Sequence, residues 1–257
     1  MKAKKALGQH FLRDPEVLQD IVATADVGRS AGVLEIGPGE GALTAFLAQS
    51  GRPVVALEKD ADALVLLRDR LGERVKLVQG DALKEDLSAL LPAADADGRR
   101  PVVVGNLPYN AASPIFRRLL DLGDQVSRMV LMFQYEVGQR IAAEAGSRSY
   151  GLLSVVTALC ADAWVISEIP PEAFAPRPKV KSALVLVEPR DKGMLPPDQV
   201  KPFISWVATL FQSRRKTLGK TLDDPDVLVG SGLEASARPE SLSPEQLIAL
   251  YRALGCP

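Results

Sequence analysis

The chain of 257 residues contains few of the residue types that form disulfides in small secreted proteins or bind metal ions. It contains two cysteines, Cys160 and Cys256, and one histidine, His10. So few thiols form neither a disulfide framework nor a CxxC metal site, and we expect no metal. No apolar run reaches the roughly 18–20 residues that cross a bilayer, and the basic start of the chain lacks the apolar segment of a signal peptide. These absences predict a protein of the reducing cytoplasm.

An excess of positive charge is also missing. The formal net charge is −1 and the sequence pI is about 6.0, which does not indicate a nucleic-acid-binding protein. Basic residues nevertheless cluster near the two ends of the chain, at Lys2, Lys4, Lys5, Arg13, Arg214, Arg215, Lys216 and Lys220. Such local clusters, rather than net charge, would have to contact phosphates. The alternative is that they are two solvated helix faces.

The chain is long enough for one large α/β domain with a small addition. A polar stretch rich in helix breakers, residues 188–193, separates two parts that differ in composition. We therefore predict a catalytic domain over residues 1–190 and a helical domain over residues 191–257. Four short helices are expected in the second domain, at 202–211, 216–222, 226–232 and 244–254.

Short apolar runs alternate with helix-like stretches through the first domain. The runs predict strands at 33–36, 54–57, 75–78, 101–105 and 129–133, followed by a strand pair at 164–169 and 182–187. Continuous apolar runs of this length are typical of buried parallel strands. The pattern therefore predicts an α/β fold with a mostly parallel sheet.

Polar or glycine residues follow four successive strands at the point where each strand ends. The first strand leads into a glycine turn, residues 37–41; Glu58 ends the second, Asp81 follows the third, and Asn106 ends the fourth. Carboxyl ends of parallel strands meet at one edge of a sheet, where open α/β sheets bind ligands. An acid about 20 residues beyond the glycines suits a ribose, and Asp81 suits an adenine amino group. The glycine turn alone is equally consistent with a tight connection, because its spacing is not that of a dinucleotide or phosphate-binding loop.

The segment Asn106-Leu107-Pro108-Tyr109, here called the NLPY segment, suits chemistry at the exocyclic amine of a base. Pro108 ends the preceding strand. The Asn106 side-chain oxygen and the Leu107 carbonyl can accept two N–H bonds from an amine, and Tyr109 can stack on the ring. The alternative is an ordinary proline turn with a half-buried tyrosine.

Residues 174–182, here called the proline loop, contain Pro176 and Pro178. The two prolines can hold Phe174 outward as a second stacking platform. The residues alone favour the alternative, in which Phe174 packs into the core.

Six features in a fixed order resemble the ribosomal RNA adenine dimethyltransferases over nearly the whole chain, most closely their bacterial small-subunit branch. They are GQHFL (8–12), LEIGPGEGALT (34–44), the strand ends Glu58 and Asp81, GNLPYN (105–110), FAPRPKVKSA (174–183) and FQSRRKTLGKTL (211–222).

The resemblance implies a class I S-adenosylmethionine-dependent methyltransferase, Rossmann-like, with a mostly parallel seven-stranded sheet and a small all-helical C-terminal domain. Its implied activity is dimethylation of N6 of two adjacent adenosines near the 3′ end of small-subunit ribosomal RNA, with the assembling 30S subunit as partner. Cofactor contacts are implied for His10, Leu12, Gly37, Glu58, Asp81 and Asn106. The target adenine is implied to lie among Asn106, Leu107, Pro108, Tyr109 and Phe174. We expect a monomer with no metal and no membrane association.

Three other functions remain open. A large-subunit RNA methylase that confers macrolide resistance shares the catalytic motifs, although the basic FQSRRKTL stretch favours the small-subunit branch. DNA adenine methyltransferases usually carry an acidic or Asn-Pro-Pro-Tyr/Phe variant of the NLPY segment. A non-catalytic assembly factor would bind the cofactor and RNA without transferring a methyl group.

Overall fold

The computed structural model describes residues 8–212, 216–222 and 225–255. Several residues singled out above therefore lie outside the described residues: Lys2, Lys4, Lys5, Arg214, Arg215 and Cys256. Within the described part of the chain, no helix is long and apolar enough to cross a membrane.

The described residues form nine strands in two sheets. The strands are β1 (Phe11–Leu12), β2 (Val33–Ile36), β3 (Val54–Glu58), β4 (Lys76–Gln79), β5 (Val102–Asn106), β6 (Arg128–Gln134), β7 (Ala161–Ile169), β8 (Phe174–Ala175) and β9 (Ser182–Pro189). The larger sheet has seven strands in the order β4-β3-β2-β5-β6-β9-β7, and β1 pairs with β8 in a small separate sheet.

The centre of the larger sheet is parallel. The pairs β4–β3, β3–β2, β2–β5 and β5–β6 are parallel, whereas β9 pairs antiparallel with β6. All residues of β2 and β3 are buried, as expected for strands covered on both faces. The predicted mostly parallel, seven-stranded sheet is therefore confirmed.

The described residues also form nine α-helices. They are α1 (Pro15–Thr24), α2 (Ala42–Leu47), α3 (Ala61–Leu71), α4 (Ala112–Leu120), α5 (Tyr135–Ile141), α6 (Leu152–Ala158), α7 (Pro197–Gln212), α8 (Pro225–Gly230) and α9 (Pro244–Ala253). Two start signals are visible in the sequence. Asp14 caps α1 by accepting the N–H groups of Glu16 and Val17, and Ser243 caps α9.

Two helix predictions in the C-terminal part need correction. The helix α7 begins at Pro197 and not at Pro202, because Pro197 occupies its first turn and Pro202 is accommodated inside the helix. The stretch 216–222 contains only a short 3-10 turn at Leu218–Lys220.

The chain divides into two compact units. The first comprises Met1–Gly138 and Ala163–Asp191, and the second comprises Gln139–Asp162 and Lys192–Pro257. The division after Asp191 lies beside the predicted boundary at 190, but residues 139–162 belong to the second unit and not to the first. The roles assigned to the two domains remain predictions.

Each unit has its own apolar core. In the first, residues of α1, α2 and α3 pack on the sheet; Ile21, Leu47 and Leu67 are at most 1% exposed. In the second, Tyr150, Val155 and Leu159 pack in one cluster with α7 and α9, which explains why residues 139–162 belong there. The first unit carries the residues that are candidates for function.

Candidate active site

A cavity opens at the carboxyl ends of β2, β3 and β5, in the first unit. Its wall includes all but one of the predicted site residues: His10, Leu12, Gly37, Glu58, Asp81, Asn106, Leu107, Pro108 and Tyr109. Residues 8–12, here called the N-terminal strap, contribute the part of the wall that lies outside the larger sheet. The predicted cofactor residues and the NLPY segment therefore meet at a single cavity.

The glycine turn needs its glycines for conformation and for space. Gly37, Gly39 and Gly41 have φ values of 72°, 56° and 83°, which disfavour residues with a Cβ. A Cβ at position 39 would lie 2.9 Å from the Phe11 ring of the strap. The turn can thus lie directly under the strap only because position 39 has no side chain.

The Glu58 carboxylate is fixed by backbone groups on both sides. Its Oε2 accepts the Gly39 N–H at 3.0 Å and its Oε1 accepts the Asp60 N–H at 2.8 Å. Burial raises the pKa of Glu58, against the lowering effect of these backbone bonds. The bonds join the end of β3 to the glycine turn and hold the carboxylate in the cavity wall, where a ribose acceptor was predicted.

Asp81 lies in the same wall and is more accessible. Its Oδ2 contacts the Lys59 ammonium at 2.8 Å, and its Oδ1 accepts the Leu83 N–H at 3.0 Å. The hydrogen bond from Lys59 and that backbone bond lower the pKa of Asp81. Asp81 is therefore an ionised acceptor, as a site for an adenine amino group requires.

Glu35 also lines the cavity, although the sequence reasoning did not select it. It lies inside β2, is 1% exposed, and its Oε2 has no hydrogen-bond partner among the described residues. Burial raises the pKa of this carboxyl to about 8, and the nearby Glu58 charge adds to the effect. The signal available in the sequence is an acid in the otherwise apolar strand Val-Leu-Glu-Ile.

The side chain of Asn106 has a fixed orientation. Its Nδ2 donates to the backbone carbonyl of His10 at 2.7 Å, so its oxygen is left as the acceptor. The preceding Gly105 allows this close packing, because a Cβ there would lie 2.8 Å from the Ile36 carbonyl oxygen. The next residue, Leu107, is 1% exposed and anchors the NLPY segment in the core.

Tyr109 is held at its hydroxyl and at its ring. The hydroxyl lies 2.5 Å from Ser182 Oγ, and the ring stacks on His10 with a centroid distance of 5.3 Å and an interplanar angle of 28°. Burial raises the pKa of Tyr109, so it is a neutral phenol at physiological pH. His10 is itself held, since its Nδ1 donates to the Pro176 carbonyl at 2.7 Å.

Phe174 is the one predicted site residue that the structure does not bring to the cavity. It is 4% exposed, lies in the core of the first unit, and pairs across β8 and β1 with Leu12. The structure therefore shows the packed arrangement that the residues alone favoured. Phe174 would have to leave the core to stack on a base.

The described residues contain no group of three or more His, Cys, Asp or Glu side chains placed to hold a metal ion. The polar side chains of the cavity include carboxylates, amides, an imidazole, a phenol and an ammonium, and the carboxylates and amides suit an organic ligand with amino and hydroxyl groups.

Comparison with known proteins gives full-length matches. The chain is 42% identical to a ribosomal RNA small subunit methyltransferase A of Methylococcus capsulatus, over 98% of this chain and 97% of that protein. It is 41% identical to a protein of the same name from Rubrobacter xylanophilus, over 98% and 95%.

Two solved structures share the fold. A dimethyladenosine transferase from Plasmodium falciparum superposes with a TM-score of 0.80 at 23% identity, over 96% of this chain and 98% of that one. A 23S rRNA methyltransferase, ErmE, superposes with a TM-score of 0.72 at 25% identity, over 95% and 99%. The profile described as ribosomal RNA adenine dimethylase matches residues 1–249. With its seven-stranded sheet and its cavity at the carboxyl ends of the strands, this chain belongs to the ribosomal RNA adenine dimethylase family.

Proposed function

We propose that this protein transfers methyl groups from S-adenosylmethionine to N6 of two adjacent adenosines near the 3′ end of small-subunit (16S) ribosomal RNA, giving N6,N6-dimethyladenosine. One observation carries the proposal. The Asn106 oxygen is oriented as an acceptor in the wall of a cavity that also contains two acids at successive strand ends. This arrangement provides a place for a reacting amine beside a place for a nucleoside cofactor.

The cavity has polar groups that suit S-adenosylmethionine, namely two acids beyond strand ends and the oriented amide of Asn106. We assign the ribose hydroxyls to Glu58, the adenine amino group to Asp81, and the remaining contacts to His10, Leu12, Gly37 and Asn106. When bound, the cofactor supplies an activated methyl group on a sulfonium centre. Gly37 leaves room for the ligand in the cavity wall, because it has no side chain.

The NLPY segment would prepare the target amine. Asn106 Oδ1 and the Leu107 carbonyl accept the two N–H groups of N6, which favours a more tetrahedral nitrogen with an available lone pair. Tyr109 stacks on the base, a contact worth about 1–3 kcal/mol. The target adenosine leaves its stack to reach the cavity, at a cost of a few kcal/mol. Positioning and electrostatics supply the rate enhancement, and the proton lost from N6 passes to water.

The relatives support small-subunit RNA over large-subunit RNA as substrate. Proteins named as small-subunit methyltransferases are about 40% identical to this chain over almost its whole length, whereas the 23S rRNA methyltransferase is 25% identical. The fixed orientation of Asn106 favours an enzyme over a non-catalytic assembly factor.

We propose the assembling small subunit in the cytoplasm as partner, and a monomer as the active form. Residues 191–257 would engage RNA, partly through the FQSRRKTL stretch, whose arginines lie outside the described residues.

The test is methyl transfer from labelled S-adenosylmethionine to unmethylated small ribosomal subunits, with unmethylated large-subunit RNA alongside and nucleoside analysis of the product. We expect N6,N6-dimethyladenosine in small-subunit RNA only. Label in large-subunit RNA would move the protein to the resistance-methylase branch. No label in either RNA would leave the assembly-factor function.

Asn106→Ala tests the proposed role of the amide. The substitution removes the acceptor for N6, and we expect methyl transfer to fall at least about 100-fold, the loss typical of one preorganised polar contact to reacting atoms. The thermal melting temperature and RNA affinity should change little. Near-normal turnover of this variant would disprove the role of Asn106.

A further inference from the structure

The proline loop is a motif whose predicted function, stacking of Phe174 on the target base, does not match its position in the structure. The loop instead contacts two residues of the cavity wall, His10 and Tyr109. The Pro176 carbonyl accepts the Nδ1–H of His10 at 2.7 Å, and Ser182 Oγ lies 2.5 Å from the Tyr109 hydroxyl. Neither Pro176 nor Ser182 lines the cavity.

From these contacts we infer that Ser182 is a positioning residue for methyl transfer, which fixes the Tyr109 ring against the target adenine through the bond between the two hydroxyls. The inference rests on the proposed function and deepens it, because it names a residue that acts on the base-stacking group without touching substrate or cofactor.

Ser182 is a rigid anchor. It is the first residue of β9, is 0% exposed, and pairs in register with Gln134 of β6. The adjacent Lys181 carbonyl accepts the N–H of Tyr135 at 3.0 Å. The seven-stranded sheet therefore determines where the Ser182 hydroxyl lies, and that hydroxyl in turn determines where the tip of Tyr109 lies.

Tyr109 needs such an anchor because its stacking contact with His10 restrains the position of the ring less strictly than a hydrogen bond does. The NLPY segment follows the end of β5 and leads to α4, so its backbone forms a connection at the cavity mouth. Stacking on His10 holds one face of the ring but tolerates sliding in the ring plane. A hydroxyl bond at the tip restrains that sliding. Displacements of about 1 Å in a positioning group can cost up to about 100-fold in rate.

The experiment compares Ser182→Ala, Tyr109→Phe and the double variant with the parent enzyme on unmethylated small subunits. Each single change removes one side of the same bond and keeps the tyrosine ring. We expect kcat to fall about ten-fold in each single variant, with the KM for S-adenosylmethionine within two-fold of the parent. The double variant should be no slower than the slower single variant, since residues that act through one bond are not additive.

Ser30→Ala is the matched control. Ser30 is also a buried serine, 4% exposed, and its hydroxyl donates to the backbone carbonyls of Val27 and Gly32, before β2 begins. This variant should lose similar stability and keep kcat within two-fold. A Ser182→Ala enzyme with kcat within two-fold of the parent, or losses that multiply in the double variant, would overturn the inference.

A second readout needs no RNA. In protein carrying 13C-labelled tyrosine, the Tyr109 ring signal is assigned by its absence in Tyr109→Phe. We expect that signal to shift and broaden in Ser182→Ala and to remain unchanged in Ser30→Ala. An unchanged signal in Ser182→Ala would overturn the inference whatever the substrate. If the parent enzyme labels neither RNA, the proposed function fails while this measurement still decides the role of Ser182.

Discussion

A single carboxyl group, that of Glu35, links the cavity to the stability of the whole first unit. Its pKa is raised from the ordinary value of 4.5 to about 8 by burial in β2. The folded protein therefore keeps a proton that the unfolded chain loses between these two pH values. The unfolding free energy should fall as pH rises from about 4.5 to about 8, by up to about 5 kcal/mol from this group alone, and then level off.

Glu35→Gln should remove this dependence, because the amide has nearly the same shape and does not ionise. We expect the variant to gain stability relative to the parent as pH rises from 5 to 9, with little difference below about pH 4.5. Urea unfolding of both proteins across this pH range measures the effect. Glu73→Gln, at an exposed position, is the control for the loss of one carboxylate from the surface. Parallel curves for Glu35→Gln and the parent would show that Glu35 is ionised in the folded protein.

At the level of single residues, the sequence indicated most of the site. Glu58, Asp81 and Asn106 were predicted because the carboxyl ends of successive parallel strands share an edge, and the cavity contains all three. Glu35 was missed because an acid inside an apolar strand is normally excluded from the core, and only three-dimensional packing shows that the cavity reaches it. The bond between Tyr109 and Ser182 joins residues 73 positions apart, which no local pattern reveals.

Among the structural elements, the glycine turn lends itself to a direct test. Gly39→Ala must adopt a φ near 56° and place its Cβ 2.9 Å from the Phe11 ring. Strain in the backbone should cost about 1–2 kcal/mol, and displacement of the strap should in addition weaken S-adenosylmethionine binding at least about ten-fold. Calorimetric titration and thermal melting measure the two effects.

Gly51→Ala separates these causes. Gly51 has a similar φ of 70°, but an added Cβ would have no heavy atom of the described residues within 4 Å, apart from its own chain neighbours. This variant should lose similar stability and keep the cofactor affinity of the parent. If Gly39→Ala also keeps full affinity, the strap does not depend on the missing side chain at position 39.

The elements differed in how well the sequence predicted them. Central strands were predicted to within one or two residues at their ends, because short, mostly apolar runs bounded by glycine, proline or polar residues leave few alternatives. The pair β1–β8 was missed, since two-residue strands have no periodicity and their partners lie far apart in sequence. The start of α7 was placed too late, because Pro202 resembles a first-turn proline although Pro197 holds that position.

For the molecule as a whole, the division into units determines which fragments of the chain contain a complete core. Residues 192–257 without residues 139–162 lack Tyr150, Val155 and Leu159, which pack in the same core as Phe203 and Leu247. Joining 139–162 to 192–257 by a short Gly/Ser linker should restore that core. The Met194 N–H donates to the Leu159 carbonyl at 2.8 Å, so the two segments already lie side by side.

We expect the linked fragment to melt cooperatively and the fragment 192–257 to show a broad or absent transition, as followed by circular dichroism. The parent protein is the reference for helical content. Equal melting of the two fragments would mean that residues 139–162 add nothing to the second unit. The sequence could not show that residues 139–162 belong to the second unit. The polar stretch at 188–193 marks a boundary, but it does not indicate which earlier segment packs with the residues that follow it.

The contact between His10 and Pro176 spans 166 positions of the chain. During synthesis the strap is made well before its strand partner at 174–175 and the Ser182 anchor. The cavity wall therefore cannot be completed until residues 174–182 have been made. Methyl transfer is therefore expected only from a chain in which the residues up to β9 have already been made and have folded.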